Sequence, residues 1–576
     1  MALGEASGGR GGILDRWRRR REPLSAVVLA WLIALPVLIP LLIVSASLLT
    51  AETEVWAHLR EHVLAEVIIN TLWLVFGVAI GTALLGTALA WLVATCEFPG
   101  RRLFSWALLL PMAIPAYVMA FVLIGQLEYA GPVQTAMRAL WGGEAGLPPI
   151  RSRGGVILAL TLVLYPYVYL IARNAFVTQG GRALEVARSL GMSPWSGFFK
   201  VALPMARPWI AAGVMLAMME TLADFGTVAA FNYETFTTAI YKAWYDLQSI
   251  EAAMQLSSIL VLVVLLVLVL EQLSRRRTRY TATSAGTARR FRLTAWARFS
   301  ALAVCSLTLL CAFLIPVTQL LFWTLGNLGD LDARYWGLAG RSLGLASLAA
   351  LLAVVLGLVL AAILRRAPGL MASLGARIAT VGYAIPGPVL AVGLAIPLIW
   401  LSDGLQFLSD RALGEDVLIF ALQGSVLGLI AAYIGRFLAV AHNPVNASLM
   451  RVSHSLDDAA RGMGLGPLGV MARVHLPLVR GGLLTGAILV FVDVMKEMPI
   501  TLMIRPFGWE TLALRVYEMT AEGHWERAAL PALALLVVGL IPVIMLTQRL
   551  EPATAGPEGR SPKPLQETAD GARHAA

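Results

Sequence analysis

The chain has 576 residues, 58% hydrophobic and only 14% charged, with a mean hydropathy of +0.75. Soluble domains carry roughly a quarter charged residues, so a soluble globular protein is excluded, and no segment has the alternating pattern of an outer-membrane barrel. The 45 Lys and Arg exceed the 35 Asp and Glu by a formal +10; the arginines sit at the ends of apolar runs, which points to membrane orientation and not to nucleic acid.

In chain order, residues 1–23 form a basic N-terminus with RWRRRR at Arg16 to Arg21. The apolar run from Leu24 to Leu49 is far longer than the roughly 7–15 residues of a signal-peptide core, so it predicts a retained first span with its N-terminus in the cytoplasm. Runs of about 20 or more apolar residues predict spans at 24–49, 67–95, 103–127, 153–176, 207–231 and 251–271, then 296–325, 341–364, 373–402, 417–440, 482–505 and 527–548. This divides the chain into a first half (24–271), a polar linker (272–295), a second half (296–549) and a Pro- and Gly-rich cytoplasmic tail (550–576) expected to be disordered.

The positive-inside rule tests this topology. The expected cytoplasmic loops 96–102, 177–206, 272–295, 365–372 and 441–481 hold Arg101, Arg102, Arg182, Arg188, the RRRTR run at Arg275 to Arg279, Arg365, Arg366, Arg451, Arg461 and Arg473. The opposite loops hold Glu52, Glu54, Asp330, Asp403 and Asp410.

Between the first two spans, His58, Glu61 and His62 match H-x-x-E-H, a zinc-protease signature. The short outer loop has no room for a protease fold, and a solvated interfacial helix is the better reading. Cys96, Cys305 and Cys311 lie in apolar stretches without C-x-x-C spacing, as small core residues do. No cofactor, resident metal or catalytic group is expected.

The chain repeats itself. EVARSLGMSPWSGFFKVALP (Glu185 to Pro204) aligns with DAARGMGLGPLGVMARVHLP (Asp458 to Pro477) at a constant offset of 273 residues, which continues through Arg207/Arg480, Gly213/Gly486, Glu220/Asp493 and Asp224/Glu497. A three-residue insertion then raises the offset to 276, for Tyr241/Tyr517 and Ala252/Ala528, and upstream Ile114-Pro115 matches Ile385-Pro386. Six spans per half is an even number, so both halves share one orientation, a parallel repeat about an axis normal to the membrane.

The repeated cytoplasmic loop, 177–206 in one half and 441–481 in the other, predicts helix, glycine, helix. Gly191 suits the left-handed position that ends the first helix, and Ser193-Pro194 supplies an N-cap and a first-turn proline for the second. Gly464 and Gly466-Pro467 play the same parts, and Ala187 and Ala460 leave one helix face open to close packing.

The pattern E-x-A-x-x-x-G, followed about ten residues later by L-P, resembles the coupling loop of ABC-importer permeases. The resemblance covers about 67–272 and 341–549, although the second copy has Asp458 for the usual Glu and the first has Val186 at the middle alanine. It implies two six-helix repeats in the type I importer permease fold, in the bacterial inner membrane with both termini cytoplasmic. It also implies docking of two copies of a separate ATPase through Glu185, Ala187 and Gly191 and through Asp458, Ala460 and Gly464. A periplasmic substrate-binding protein would deliver the cargo. The segments Glu220 to Trp244 and Phe491 to Met519 are similar to those of fused ferric-iron permeases; fused thiamine permeases share the layout, and an ion-coupled secondary transporter is the rival of another class. The four lysines, Lys200, Lys242, Lys496 and Lys563, do not fall in G-x-x-x-x-G-K-[ST], so ATP hydrolysis belongs to a partner.

Glu220 with Asp224, and Asp493 with Glu497, are i,i+4 pairs on one helix face, about 15 residues into an apolar span, where an ionised group costs at least ~2.5 kcal/mol unless paired or hydrated. Two readings stand open: these acids line the translocation pathway and attract a cation, or they form a network that fixes packing or marks a helix end.

Overall fold

The computed structural model describes residues 23–49, 53–142, 146–178, 185, 187, 189–276, 290–367, 369–413 and 422–550. The basic run Arg16 to Arg21, Arg182, Val186, Arg188, Arg277, Arg279 and the tail beyond residue 550 lie outside the described residues.

Twelve helices among the described residues are long and apolar enough to cross a bilayer: Leu24–Leu49, Leu64–Thr95, Ala116–Trp141, Arg153–Thr178, Trp195–Ala223 and Ile250–Leu270, then Ala295–Gly326, Ala333–Arg366, Gly387–Arg411, Val426–Leu449, Pro467–Lys496 and Trp525–Leu546. They are numbered here as spans 1 to 12. The chain is therefore an all-α polytopic membrane protein built from two six-span repeats.

The run predicted at 417–440 stands nine residues later, at Val426–Leu449, and the one at 341–364 begins at Ala333; four further spans differ from the apolar runs, each for a local cause. The runs predicted at 103–127 and 373–402 are each broken at Ile-Pro. A helix (Arg101–Ala107, or Leu370–Val381) and a short 3-10 turn lead to Ile114 or Ile385, which is extended with ψ 121° or 128°, before the membrane helix restarts. Proline forces this by disfavouring the helical region in the residue before it. The runs predicted at 207–231 and 482–505 begin earlier, inside the repeated loop, and their helices stop at Ala223 and Lys496.

Spans 2, 4 and 5 pack together in the first half, and spans 8, 10 and 11 in the second. Small residues make the approach close, as between helices in lipid. A Cβ on Gly86 would lie 2.8 Å from Val168 Cβ and one on Gly213 would lie 2.9 Å from Val168 Cα; their equivalents Gly357 and Gly486 press on His442 N at 3.1 Å and Ala441 O at 3.0 Å.

The first span of each half reaches the other half: span 1 packs chiefly there, and span 7 packs on span 12 of its own half while also touching the first half. Span 1 lies against Leu370–Val381 and span 9, where a Cβ on Gly393 would reach 2.8 Å from Pro40 Cβ and one on Gly435 would reach 3.0 Å from Pro36 O. Span 7 lies against span 3: Gln126 donates to Gln319, and the Trp323 ring sits 6.2 Å from Phe121 and covers Gly125. The end of the linker is also held, since Phe291–Arg292 forms a two-residue parallel ladder with Cys96–Glu97.

Candidate functional site

Around their glycines, the two repeated loops share one backbone conformation among the described residues. Gly191 and Gly464 are left-handed, with φ of 77° and 83°. Met192 N donates to Ala187 O at 3.0 Å, and Leu465 N donates to Ala460 O at 3.1 Å, the closing bond of a Schellman motif in each copy. Ser193 Oγ then accepts from Ser196 N at 3.3 Å as an N-cap, and Pro467 opens Pro467–Val470 after Gly466. Both loops enter the next span through one π-helical turn, Phe198–Ala202 and Met471–His475, at positions 273 residues apart. Sequence periodicity missed these turns.

The coupling residues predicted from sequence divide by exposure. Ala187 and Ala460 are buried, while Glu185 and Asp458 are exposed; the Asp458 carboxylate reaches Arg461 at 3.8 Å. Two repeat-related pairs of large apolar side chains project beside them: Leu190 and Met463, 73% and 76% exposed, and Trp195 and Leu468, 71% and 84% exposed. Apolar exposure of this kind, repeated at equivalent positions, marks a surface that another protein covers.

The loops are anchored by different chemistry. Under the first, Trp91 contacts Phe176, Phe198 and Phe291 at ring separations of 5.6, 4.8 and 5.9 Å. Under the second, buried Asp457 accepts from Arg365 Nε at 2.8 Å and from His475 Nε2 at 2.7 Å. Arg365 also donates to Leu449 O and Val452 O, both at 2.8 Å. Burial opposes the Asp457 charge, but the bonds from Arg365 and His475 outweigh it and hold the carboxyl below the ordinary aspartate range. Leu184 and Ala202 stand at the equivalent positions of the first loop, so this lock belongs to the second half alone.

Within the membrane, a cavity of about 610 Å³ opens between the halves, lined by elements of both. All four acids predicted from sequence line it, but the i,i+4 pairs do not share one helix face. Asp224 and Glu497 stand just past the ends of their helices with extended backbone, ψ 130° and 117°. Each is folded back onto the short helix that follows. Asp224 accepts from Thr227 N at 3.0 Å, Val228 N at 3.2 Å and Thr227 Oγ1 at 2.9 Å; Glu497 accepts from Ile500 N at 3.1 Å. They satisfy backbone donors that lipid cannot.

Glu220 and Asp493 are less committed. Glu220 accepts one hydrogen bond, from Tyr383 Oη at 3.1 Å. Asp493 faces the same cavity and has no hydrogen bond or ion pair to a described residue. Two cations complete the wall: Lys496, which its place in the sequence beside the second acid pair already suggests as a partial counter-charge, and Arg436, which repeated acids do not reveal. Arg436, in span 10, lies with Nε 3.5 Å from Glu497 Oε2; Lys496 donates to Met112 O at 3.2 Å. A lone Arg deep in an apolar run is itself a signal.

On the helix Glu54–His62, His58 and His62 stack with ring centroids 4.7 Å apart. Among the described residues no group of three or more His, Cys, Asp or Glu side chains is placed to hold a metal ion.

Comparison with known proteins agrees with the doubled architecture. The family described as "Binding-protein-dependent transport system inner membrane component" matches twice, at residues 84–280 and 353–555. The Fe(3+)-transport system permease protein FbpB 2 of Haemophilus influenzae is 27% identical over 92% of this chain and 98% of its own length. The molybdenum transport system permease protein ModB of Escherichia coli K12 is 29% identical over 28% of this chain and 70% of its own length. The sulfate transport system permease protein CysW of Synechocystis is 30% identical over 34% of this chain and 70% of its own.

Proposed function

The chain belongs to the inner-membrane components of binding-protein-dependent transport systems, and from that premise we propose that it is the fused permease of a ferric-iron importer driven by two copies of a separate ATPase. The observation that carries the coupling role is the pair of identical loop backbones, each with a left-handed glycine and the repeat-related apolar knobs Leu190/Met463 and Trp195/Leu468. In this reading Glu185, Ala187 and Gly191 form one ATPase contact, and Asp458, Ala460 and Gly464 the other. The fused halves extend over 24–271 and 296–549, joined by 272–295, with both termini cytoplasmic and a periplasmic binding protein docking on the outer face.

Charge supports a cationic cargo. The cavity wall carries four carboxylates and two cationic side chains, so its field attracts a cation and repels an oxyanion such as sulfate. Full-length similarity to a permease named for Fe(3+), set against partial matches to the molybdenum and sulfate proteins, points the same way. Glu220 and Asp493 line the path, and Asp224 and Glu497 hold the two helix breaks beside it. ATP-driven closure of the ATPase pair would move the loops and open the path alternately.

The test is copurification of this chain with an ATPase subunit from its host membrane. A stoichiometric complex that is lost on the double change Gly191→Asp and Gly464→Asp supports the reading. Cargo movement in liposomes containing this chain without any ATPase contradicts it.

A further inference from the structure

Arg436 is the residue of the cavity that the transport reading leaves without a part. Its side chain is 11% exposed, and its Nε and Nη1 atoms are buried without a hydrogen-bond partner among the described residues; the one ion pair is the 3.5 Å approach to Glu497. It lines the same cavity as Glu220 and Asp493. Room for the guanidinium is made by Gly387, where a Cβ would lie 2.8 Å from Arg436 Nη1 and 3.1 Å from Glu497 Oε1.

The repeat isolates this feature. The glycine contacts on Val168 and Ala441 fix the 273-residue offset for spans 4 and 10, so the first-half equivalent of Arg436 is Val163 and that of Lys496 is Ala223. Both of these also line the cavity. The acids are therefore duplicated and the cations are not. A guanidinium held loosely among acids, with donors left over, is poorly suited to a packing role, because a buried ion pair stabilises only with good geometry and its remaining donors satisfied.

We propose that Arg436 is a tethered counter-ion that competes with the cargo cation for Glu220 and Asp493, the two acids not committed to helix breaks. In the empty cavity it offsets their charge. A cation arriving from the outer side takes Glu220 and Asp493, while Arg436 stays on Glu497 beside them. Its repulsion then keeps the cation from being trapped, which any permeation site requires, since binding must be strong enough to enter and weak enough to leave. The inference rests on the reading of Glu220 and Asp493 as pathway acids.

Terbium(III) is the probe, because a trivalent ion bound in the cavity is sensitised by Tyr117, Tyr167 and Tyr383 on its wall. The full chain in nanodiscs is titrated and tyrosine-sensitised emission is read. Arg436→Gln is expected to bind at least about tenfold more tightly than the parent, the scale of removing one like charge at close range, and Arg436→Lys to stay near the parent. Arg436→Met also removes the charge while keeping the length of the side chain, so it supplies the same reading if Arg436→Gln is not recovered folded. Adding Glu220→Gln and Asp493→Asn is expected to abolish the tightened site. Equal or weaker binding without Arg436, with the site still dependent on Glu220 and Asp493, overturns the counter-ion and leaves the pathway reading intact. Emission that ignores Glu220→Gln and Asp493→Asn overturns both.

Discussion

Asp224 and Glu497 occupy equivalent places in the two halves, and each turns back at the end of a membrane helix to accept backbone N–H groups from the short helix after it, at 3.0 Å from Thr227 and 3.1 Å from Ile500. The breaks they hold adjoin: a Cβ on Gly226 would lie 2.8 Å from Met498 Cε of the other half. One member of each acid pair thus caps a helix break, and the other lines the cavity without such a bond.

The pairs should therefore separate by experiment. Asp224→Ala and Glu497→Ala each lose a helix cap and are expected to cost about 1–2 kcal/mol, read as a lower melting temperature in detergent. Glu220→Gln and Asp493→Asn should leave the melting temperature close to the parent and reduce uptake.

The exposed knobs of the cytoplasmic loops are expected to serve binding and not folding. Changing Trp195 and Leu468 to Ser should shift stability by no more than about 0.5 kcal/mol, as at other surface positions, while the amount of ATPase recovered in a pull-down falls severalfold. A loss of stability in step with the loss of ATPase would contradict the docking role.

Asp457 gives a pH dependence to the second loop. Its folded-state value is depressed, so its contribution is complete above the ordinary aspartate value of about 3.9 and is lost as the pH falls through the lower folded value. Asp457→Asn should cost about 1–3 kcal/mol near neutrality by leaving Arg365 and His475 without their shared acceptor. Melting curves followed through acid pH should then converge for parent and variant.

The packing of span 1 on the second half predicts how the halves assemble. Gly435→Leu drives a side chain into Pro36 O, 3.0 Å from the position of its Cβ, and overpacking of this kind costs about 1–3 kcal/mol. Its effect should appear as loss of span 1 from the second half, read by crosslinking between cysteines placed at positions 30 and 375.

Much of this architecture is legible in the residues, for identifiable reasons. The loop backbone is foreseen because Gly191, Ser193 and Pro194 are strong local signals and recur at a fixed offset. The π-turns are not, since no residue type marks an i→i+5 bond. The helix breaks at Asp224 and Glu497 hide because the short helices after them stay apolar, so the runs read on as one span. The Asp457 lock is invisible locally: Arg365 lies 92 residues before Asp457 and reads only as a topology charge. Arg436 escapes a search for repeated residues because it has no counterpart, and that lack is what singles it out.

The most direct measurement is uptake of radiolabelled ferric iron into proteoliposomes holding this chain and its ATPase, with loaded binding protein outside and ATP inside. The account predicts uptake that requires ATP hydrolysis, disappears with Gly191→Asp plus Gly464→Asp, and falls in the Glu220→Gln, Asp493→Asn variant. Iron uptake that proceeds without the ATPase, or normal uptake in the variant lacking both pathway carboxylates, would contradict it.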